Sequence, residues 1–403
     1  MLECDVFVIG CGPAGASLAW YLAQKNIKVI VAEKKKSLDT PVRCAGFVPV
    51  NIAGLFDFKI SGINNRSEYL ETYVAENPFE KFHLISKISA PGFILDRDIF
   101  INDIASRFAN SGGKLLKGTK VISAQHGPGG FTLDLLDMAS KNHLKAKARI
   151  IAGADGPLSL IGRLTGSANK SFMPAIQQNP STISKSSDCS KVFFSPYISC
   201  GYGWLFPKAG SINLGVGAYF KHKTAQTAIT GISIKDTLAL FTRHLEFSGI
   251  ISGYANQQKA VTGLIPDSGI VENPSFKDGF ILCGDAAGLC NPVTGAGIYN
   301  AIYSAKLASE IIIKSLILKD LGSLLEIKEI YNNQFGNSIS RALEKKLLQK
   351  NNWPQSFPDM NNLPGLTPNA HNRPFYDYKY SKDNIEFLDL IRQTWISFRD
   401  YWH

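Results

Sequence analysis

Gly10, Gly12 and Gly15 follow four apolar residues, Val6-Phe7-Val8-Ile9, in a Gly-x-Gly-x-x-Gly pattern. Glycines at that spacing let a chain turn tightly, approach a pyrophosphate and open a helix whose N-terminus faces the phosphate charge. The helix is expected from Ala16 to Gln24, and a second apolar strand, Val29–Ala32, ends at Glu33. Glu33 stands eighteen residues after Gly15, where a carboxylate can bind ribose hydroxyls. Together these parts form a dinucleotide-binding unit, with Gly10, Gly12, Ala14, Gly15 and Glu33 as its cofactor-binding residues. By itself the unit suits NAD and FAD alike.

Four further stretches carry residue types suited to a site. Ile151-Ala152-Gly153-Ala154-Asp155-Gly156 runs from an apolar strand into an acidic turn, with Arg163 beyond it. Gly284-Asp285-Ala286-Ala287-Gly288 is followed by Asn291-Pro292-Val293-Thr294-Gly295-Ala296-Gly297 and then Ile298. Gly201-Tyr202-Gly203-Trp204-Leu205-Phe206-Pro207 is an aromatic cluster fit to line an apolar pocket. Pro41-Val42-Arg43-Cys44-Ala45-Gly46 sets a basic residue beside a thiol. The seven histidines form no spaced cluster, and no pair of the seven cysteines has Cys-x-x-Cys spacing, so no metal site is indicated.

The elements that must position these residues alternate strand and helix. Residues 1–50 read β-α-β and then loop. Arg97–Asn110 is expected as a helix burying Phe100, Ile101, Ile104, Ala105 and Phe108, ended by Gly112-Gly113. Strands are expected at Lys120–Gln125, Phe131–Leu136 and Ala148–Ala152, with Gly127-Pro128-Gly129-Gly130 as a hairpin turn. From 165 to 275, strand-like runs such as Lys191–Phe194 and Ile212–Ala218 alternate with Gly, Pro and Ser, which reads as a sheet-rich substrate domain. Ile281–Cys283 is a buried strand and Gly297–Leu318 a long helix.

Residues 326–350 are expected to be helical, with Ile327, Ile330, Tyr331, Ile339, Leu343 and Leu347 in phase. Arg341, Lys345, Lys346 and Lys350 near its end suit either a helix C-terminus or a membrane-surface helix. Residues 351–380 read as a surface loop, and Asn384–Tyr401 as a last helix rich in aromatics. The fold class is therefore α/β: a Rossmann-like domain from 1–55, 92–164 and 276–320, a substrate domain from 56–91 and 165–275, and a helical C-terminal region, 321–403.

Composition bounds the partners. Of 403 residues, 45% are hydrophobic and 19% charged, which allows a large core and much buried or lipid-facing surface. The net charge of +10 suits a generic basic surface, an anionic membrane or a phosphorylated substrate. Nucleic acid is not expected, because no basic run is interleaved with aromatics. An odd number of unpatterned cysteines reads as reduced thiols in a cytoplasmic protein. Glu3 and Asp5 argue against a signal peptide, and no apolar run is long enough for a membrane span. These features leave room for peripheral contact with the inner face of the membrane, and no segment specifies an oligomeric state.

Taken together, the fingerprint, the Asp155-Gly156 motif and the Gly284-Asp285 motif with its trailing glycines resemble the FAD-dependent class that includes p-hydroxybenzoate hydroxylase and the geranylgeranyl reductases. The resemblance selects FAD. It implies that Asp285 binds the ribityl chain and that Arg97 lies near the pyrophosphate. Asp155 would support the fold around the cofactor. Pro292 and Gly295, Ala296, Gly297 and Ile298 would open a helix against the flavin N1/O2 edge, where helix-end N–H groups stabilise an anionic flavin. Arg43, Cys44 and Ala45 resemble a reductase segment lying over the flavin, although Ala45 separates Cys44 from Gly46. Cys44 is then either a thiol near the substrate alkene or a small buried residue of a flavin loop.

The stretch from Tyr202 to Pro207 resembles the Tyr-x-Trp-x-Phe-Pro signature of the geranylgeranyl reductase family, with every specified position filled. Tyr202 and Trp204 are thus catalytic candidates with Cys44, and also candidates for plain core. The family implies reduction of isoprenoid carbon–carbon double bonds, with an apolar small-molecule substrate. A monooxygenase or a halogenase on the same scaffold is the alternative. Halogenases carry a similar Gly-Trp-x-Trp-x-Ile-Pro stretch, but Tyr202 and Phe206 depart from it, and Lys59, Lys81 and Lys87 sit in no matching motif. A flavoprotein maturation factor acting on a partner protein is a further alternative. With no second Gly-x-Gly-x-x-Gly unit, electrons come from NADPH bound without its own Rossmann unit or from another donor.

Overall fold

The computed structural model describes residues 1–39, 44–181, 187–219, 233–252, 259–354 and 386–396. Among these, in chain order, the strands begin with β1 (Leu2–Ile9), β2 (Val29–Glu33), β3 (Phe47–Pro49), β4 (Ile63–Val74), β5 (His83–Leu95) and β6 (Lys114–Lys117). They continue with β7 (Thr119–Gly127), β8 (Gly130–Asp137), β9 (His143–Gly153), β10 (Phe172–Gln178) and β11 (Cys189–Phe194). The last are β12 (Tyr202–Lys208), β13 (Ser211–Gly217), β14 (Val261–Pro266), β15 (Ser275–Phe276) and β16 (Phe280–Leu282). The α-helices are α1 (Pro13–Ala23), α2 (Arg97–Asn110), α3 (Leu160–Leu164), α4 (Ile234–Phe247), α5 (Ile298–Leu318), α6 (Ile327–Tyr331), α7 (Asn337–Asn352) and α8 (Phe387–Ile391).

The first sheet runs β15-β16-β9-β1-β2-β6, with the β7–β8 hairpin attached through β9. Its core is parallel: β1 pairs with β2 and with β9, and β9 pairs with β16. The apolar run Val6–Ile9 is buried because β1 lies between two strands and under helices. Ile9 stands opposite Gly153, so the glycine turn after β1 and Asp155 after β9 leave the sheet side by side. α1 begins at Pro13, three residues before its expected start, with proline in the first turn where no N–H is needed. Gly284 brings the third segment in: a Cβ there would lie 3.0 Å from the Cβ atoms of both Ala14 and Ala301. Hence α1, the turn after β16 and α5 meet at van der Waals distance.

α2 spans the expected Arg97–Asn110 and buries the expected five residues. Gly112 has φ +85°, and a side chain at Gly113 would strike the Phe108 ring at 2.0 Å, so the helix ends there.

The second sheet runs β14-β10-β13-β12-β11-β4-β5-β3, antiparallel except for β11–β4. Its longest strands, β4 and β5, form a pairing for which the sequence reading specified no strands. Register shifts at Ile63/Asn65, Ser67/Tyr69 and Thr72/Tyr73 break their alternation of polar and apolar residues. The segment 165–275 is not sheet alone: α4 interrupts it, capped by Ser233, whose hydroxyl accepts from Asp236 N. Phe241 of α4 packs against Phe193 and Phe82.

The C-terminal helical region packs on the other face of this sheet, through Trp353, Phe387, Leu390, Ile391 and Trp395. Between α6 and α7 a π-helical turn, Asn332–Gly336, shifts the helical phase. Within α7, Ile339 is buried as expected, but Leu347, eight residues on and so about 80° around a regular helix, is exposed, while Ala342, Lys346 and Gln349 continue the buried face of Ile339. Of the four basic residues for which the sequence left open a helix C-terminus or a membrane-surface helix, Lys346 is thereby withdrawn from any membrane-facing surface. Lys346 is buried, donates to Cys200 O at 2.6 Å, and is pushed down to about 8 by burial. Lys350 lies 3.6 Å from the buried Asp267 carboxylate. The expected helix Asn384–Tyr401 is described only from 386 to 396, and most of the 351–380 loop lies outside the described residues. Among the described residues, no helix is long and apolar enough to cross a membrane.

Candidate active site

One cavity of about 910 Å³ runs between the two sheets, at the upper end of ligand-pocket sizes of roughly 300–1,000 Å³. Gly10, Gly12, Ala14 and Glu33 line one end of it, with Arg97 and Asp155 beside them. Asp285 and Gly295–Ile298 line its middle, together with Cys44 and Ala45. Tyr202 and Trp204 form its wall toward the second sheet. Segments as far apart in sequence as Gly10 and Ile298 thus share one space. Gly15, Gly284 and Pro292 are buried behind this surface and do not line it. Arg43 lies outside the described residues.

The glycines do different work. Gly10 has φ +95°, and a Cβ on it would sit 2.5 Å from Ala154 O. A Cβ on Gly15 would sit 1.9 Å from Gly10 O. Both are required by the protein's own packing. Gly12 is different: its φ is −82°, and the nearest atom to a Cβ would be Arg97 Nη2 at 3.8 Å. Nothing in the chain requires a glycine there. Its open side is the cavity, so the missing side chain leaves room for a ligand.

The electrostatics agree with an anionic, dinucleotide-sized ligand. α1 and α5 both start at the cavity, and neither has a side-chain cap at its N-terminus. Their free N–H groups are therefore open to phosphate or to an anionic ring. Arg97 adds a cation, and also offsets part of the burial that pushes the Asp285 carboxyl up. Asp155 accepts from Leu160 N at 2.7 Å through Oδ2, while its Oδ1 is buried without a partner. Burial pushes this carboxyl up as well. Glu33 accepts from Cys11 N and Lys35 N, both at 2.9 Å, which fixes its carboxylate at the edge of the cavity. The uncapped helix ends, the open Gly12 and the orphaned Asp155 oxygen fit FAD.

At the other end the chain has locked its aromatic residues. The Tyr202 hydroxyl donates to Thr294 O, and burial keeps the phenol protonated. Trp204 Nε1 donates to Asn213 Oδ1 at 2.6 Å, and Asn213 Nδ2 in turn donates to Asn179 Oδ1 at 2.7 Å. Asn291, 1% exposed, builds the turn before α5: its Oδ1 accepts from Val293 N and Thr294 N at 2.9 and 3.0 Å. Gln177 Nε2 donates to Cys44 O at 3.1 Å and ties the Cys44 loop to β10. Sequence reasoning missed Gln177, Asn213 and Trp395 as site residues. Asn213 follows the aromatic stretch by one hairpin, which was a usable signal. Gln177 and Trp395 carried none, since only the tertiary fold brings them to the cavity.

No family model matches the chain. A digeranylgeranylglycerophospholipid reductase from Methanothrix thermoacetophila is 26% identical over 354 residues, covering 86% of this chain and 87% of that protein. The chain is an oxidoreductase similar in sequence, over most of its length, to curated geranylgeranyl lipid reductases. A geranylgeranyl bacteriochlorophyll reductase-like protein from Thermoplasma acidophilum superposes with a TM-score of 0.75, at 21% identity, over 99% of this chain and 98% of that one. A probable FAD-dependent monooxygenase from Pseudomonas aeruginosa gives a TM-score of 0.62, at 16% identity, over 87% of this chain and 96% of that one. These two likenesses establish the fold: a largely parallel sheet, a second sheet and a helical C-terminal region.

Among the described residues, no group of His, Cys, Asp or Glu is arranged to bind a metal ion. The seven cysteines are all free, and six of them are buried. Burial pushes the Cys4, Cys11 and Cys283 thiols up to about 12, so these are inert core residues. Cys44 is the half-buried exception, and it faces the cavity.

Proposed function

We propose that this oxidoreductase reduces carbon–carbon double bonds in the isoprenoid chain of a lipid. The observation that carries this reading is the wall of the cavity beyond Cys44. Leu70, Val192, Tyr202, Trp204, Phe206 and Trp395 present an apolar surface there, suited to an extended hydrocarbon. The related methanogen protein, named as a reductase of a geranylgeranyl lipid, supports the same substrate class.

FAD, once reduced, supplies a hydride. The chain's residues do the rest. Glu33, Gly10, Gly12 and the α1 N-terminus bind the adenosine and pyrophosphate half, with Arg97. Asp285 binds the ribityl chain, and the N–H groups of Gly295–Ile298 hold negative charge at the α5 N-terminus. Tyr202 orients that turn through Thr294 O, and Trp204, fixed by Asn213, lays the substrate chain flat against the cofactor. The Cys44 thiol delivers the proton to the alkene carbon opposite the hydride. Reducing equivalents would come from NADPH or another donor, for which the sequence offers no second Gly-x-Gly-x-x-Gly unit. We assign 1–55, 92–164 and 276–320 to the cofactor domain, 56–91 and 165–275 to the substrate domain, and a cytoplasmic site of action at the membrane's inner face. The test is anaerobic: reduced enzyme mixed with geranylgeranyl glycerolipid is reoxidised in the absence of oxygen. Reoxidation by oxygen alone, with no response to any prenyl lipid, refutes the reading.

A further inference from the structure

Trp395, which comes from the C-terminal region more than 180 residues after the aromatic stretch it packs against, lines the cavity and stands between it and a second, smaller space. Its ring centroid lies 4.9 Å from that of Tyr202 and 5.1 Å from that of Phe194. Trp395 Nε1 donates to Thr72 Oγ1 at 3.2 Å, which fixes the plane of the indole. The turn that carries it is anchored to α7: Lys345 Nζ donates to Gln393 O at 2.8 Å, and Gln349 Nε2 to Thr394 Oγ1 at 3.0 Å. The indole is therefore a held wall and not a loose side chain.

Behind it lies a second space of about 10 Å³, bounded by Thr72, Ser86, Ile88 and Ile396. Leu70, Thr294 and Trp395 border both spaces. As it stands, the second space has room for about one water. Removing the indole would join the two into one channel running under the C-terminal helix along β4 and β5, with Ile88 and Ile396 as its apolar part and the Thr72 and Ser86 hydroxyls at its side.

We propose that Trp395 sets the length of the chain the enzyme accepts, by closing the far end of the substrate arm. The proposal rests on the isoprenoid reading above. A hydrocarbon threaded past Tyr202 and Leu70 meets the indole. A chain one unit longer must either stop short, so that its reacting double bond is out of register with the cofactor, or displace a ring held by a hydrogen bond and two aromatic contacts. An apolar cavity of roughly 150 Å³ takes up benzene, and an isoprene unit is slightly smaller, so the space freed by Trp395→Ala admits about one further unit.

The experiment uses the full chain with flavin bound, and a series of polyprenyl glycerolipids each longer by one isoprene unit. Two readouts are taken: the perturbation of the oxidised flavin spectrum on binding, and kcat/KM for anaerobic reoxidation. Wild type is expected to show a cutoff, with the first excluded length disfavoured by roughly 10–200-fold. Trp395→Ala is expected to move the cutoff up by one unit in both readouts. Trp395→Phe, which keeps an aromatic ring in place, is expected to move it partway. The double variant W395A/S86F refills the space and is expected to restore the original cutoff. An unchanged cutoff in Trp395→Ala, or in Trp395→Phe if the alanine variant loses its flavin, overturns the proposal. The two claims fail separately. If binding shows the shifted cutoff but no lipid is reduced, the length-setting role stands and the reductase reading falls. If lipids are reduced with a cutoff that Trp395 does not move, the reductase reading stands and this proposal falls.

Discussion

Gly10 and Gly12 belong to one fingerprint, yet alanine at the two positions should have opposite consequences. At Gly12 the backbone is extended, with φ −82° and ψ −169°, and the nearest protein atom to a new Cβ is 3.8 Å away. Gly12→Ala therefore introduces neither strain nor a clash into the flavin-free protein. It also reduces the freedom of the unfolded chain, which stabilises by about 0.4–1 kcal/mol. At Gly10, φ is +95° and the Cβ would lie 2.5 Å from Ala154 O. The left-handed penalty is roughly 1–2 kcal/mol before any clash. At about 2 °C per kcal/mol, flavin-free Gly12→Ala should melt within about 2 °C of wild type, with Gly10→Ala several degrees lower. Flavin binding should separate them the other way. A methyl group on the open side of Gly12 occupies the cavity surface that faces the pyrophosphate, so affinity should fall at least tenfold, about 1.4 kcal/mol. That loss reappears as a smaller rise in melting temperature on adding FAD. Differential scanning calorimetry with and without FAD measures both effects. The reasoning is refuted if flavin-free Gly12→Ala is as unstable as Gly10→Ala, or if it binds FAD as wild type does.

Three more expectations follow from the same geometry. His244 is 2% exposed, donates through Nε2 to Glu80 O and accepts from Tyr197 at Nδ1, and burial pushes it down to about 4. Its neutral form stabilises the fold fully above about pH 6.5, and that stability, about 3 kcal/mol, is lost as pH falls toward 4; denaturant titrations of wild type and His244→Gln should show this acid limb only in wild type. Tyr202→Phe removes the bond to Thr294 O, so stability should fall by about 1 kcal/mol and turnover by roughly tenfold, while flavin stays bound, as stopped-flow reoxidation and flavin content will show. Cys44→Ala should slow reoxidation by prenyl lipid by roughly 10²–10⁴-fold with unchanged lipid binding, whereas an unchanged rate assigns the proton to solvent.

Local pattern made the cofactor half of this molecule legible. The run Val6–Ile9, the three glycines and Glu33 obey short-range rules, and α2 buries the five residues its periodicity selects. The second sheet was harder because its longest pair, β4 and β5, has one polar face and three register shifts, which hide the alternation that marks a strand. Leu347 and Lys346 exchanged places because a series spaced by four drifts about 40° per step around a helix, so the face that starts at Ile339 continues through Ala342, Lys346 and Gln349 and not through Leu347. The aromatic stretch Tyr202–Phe206 was visible, but its partners were not. Asn213 fixes Trp204 from the next strand, while Gln177 and Trp395 reach the cavity from β10 and the C-terminal region. Contacts of that range leave no periodic trace in a single sequence.

The central claim is that the cavity presents an isoprenoid alkene to reduced flavin. The most direct measurement incubates the flavin-loaded enzyme anaerobically with a reductant and geranylgeranyl glycerolipid, then follows lipid mass. The account predicts stepwise gain of two hydrogens per double bond, with no oxygen incorporated and no product from the Gly12→Ala variant stripped of flavin. Unchanged lipid under nitrogen, with an oxygen atom added to an organic substrate in air, would contradict it.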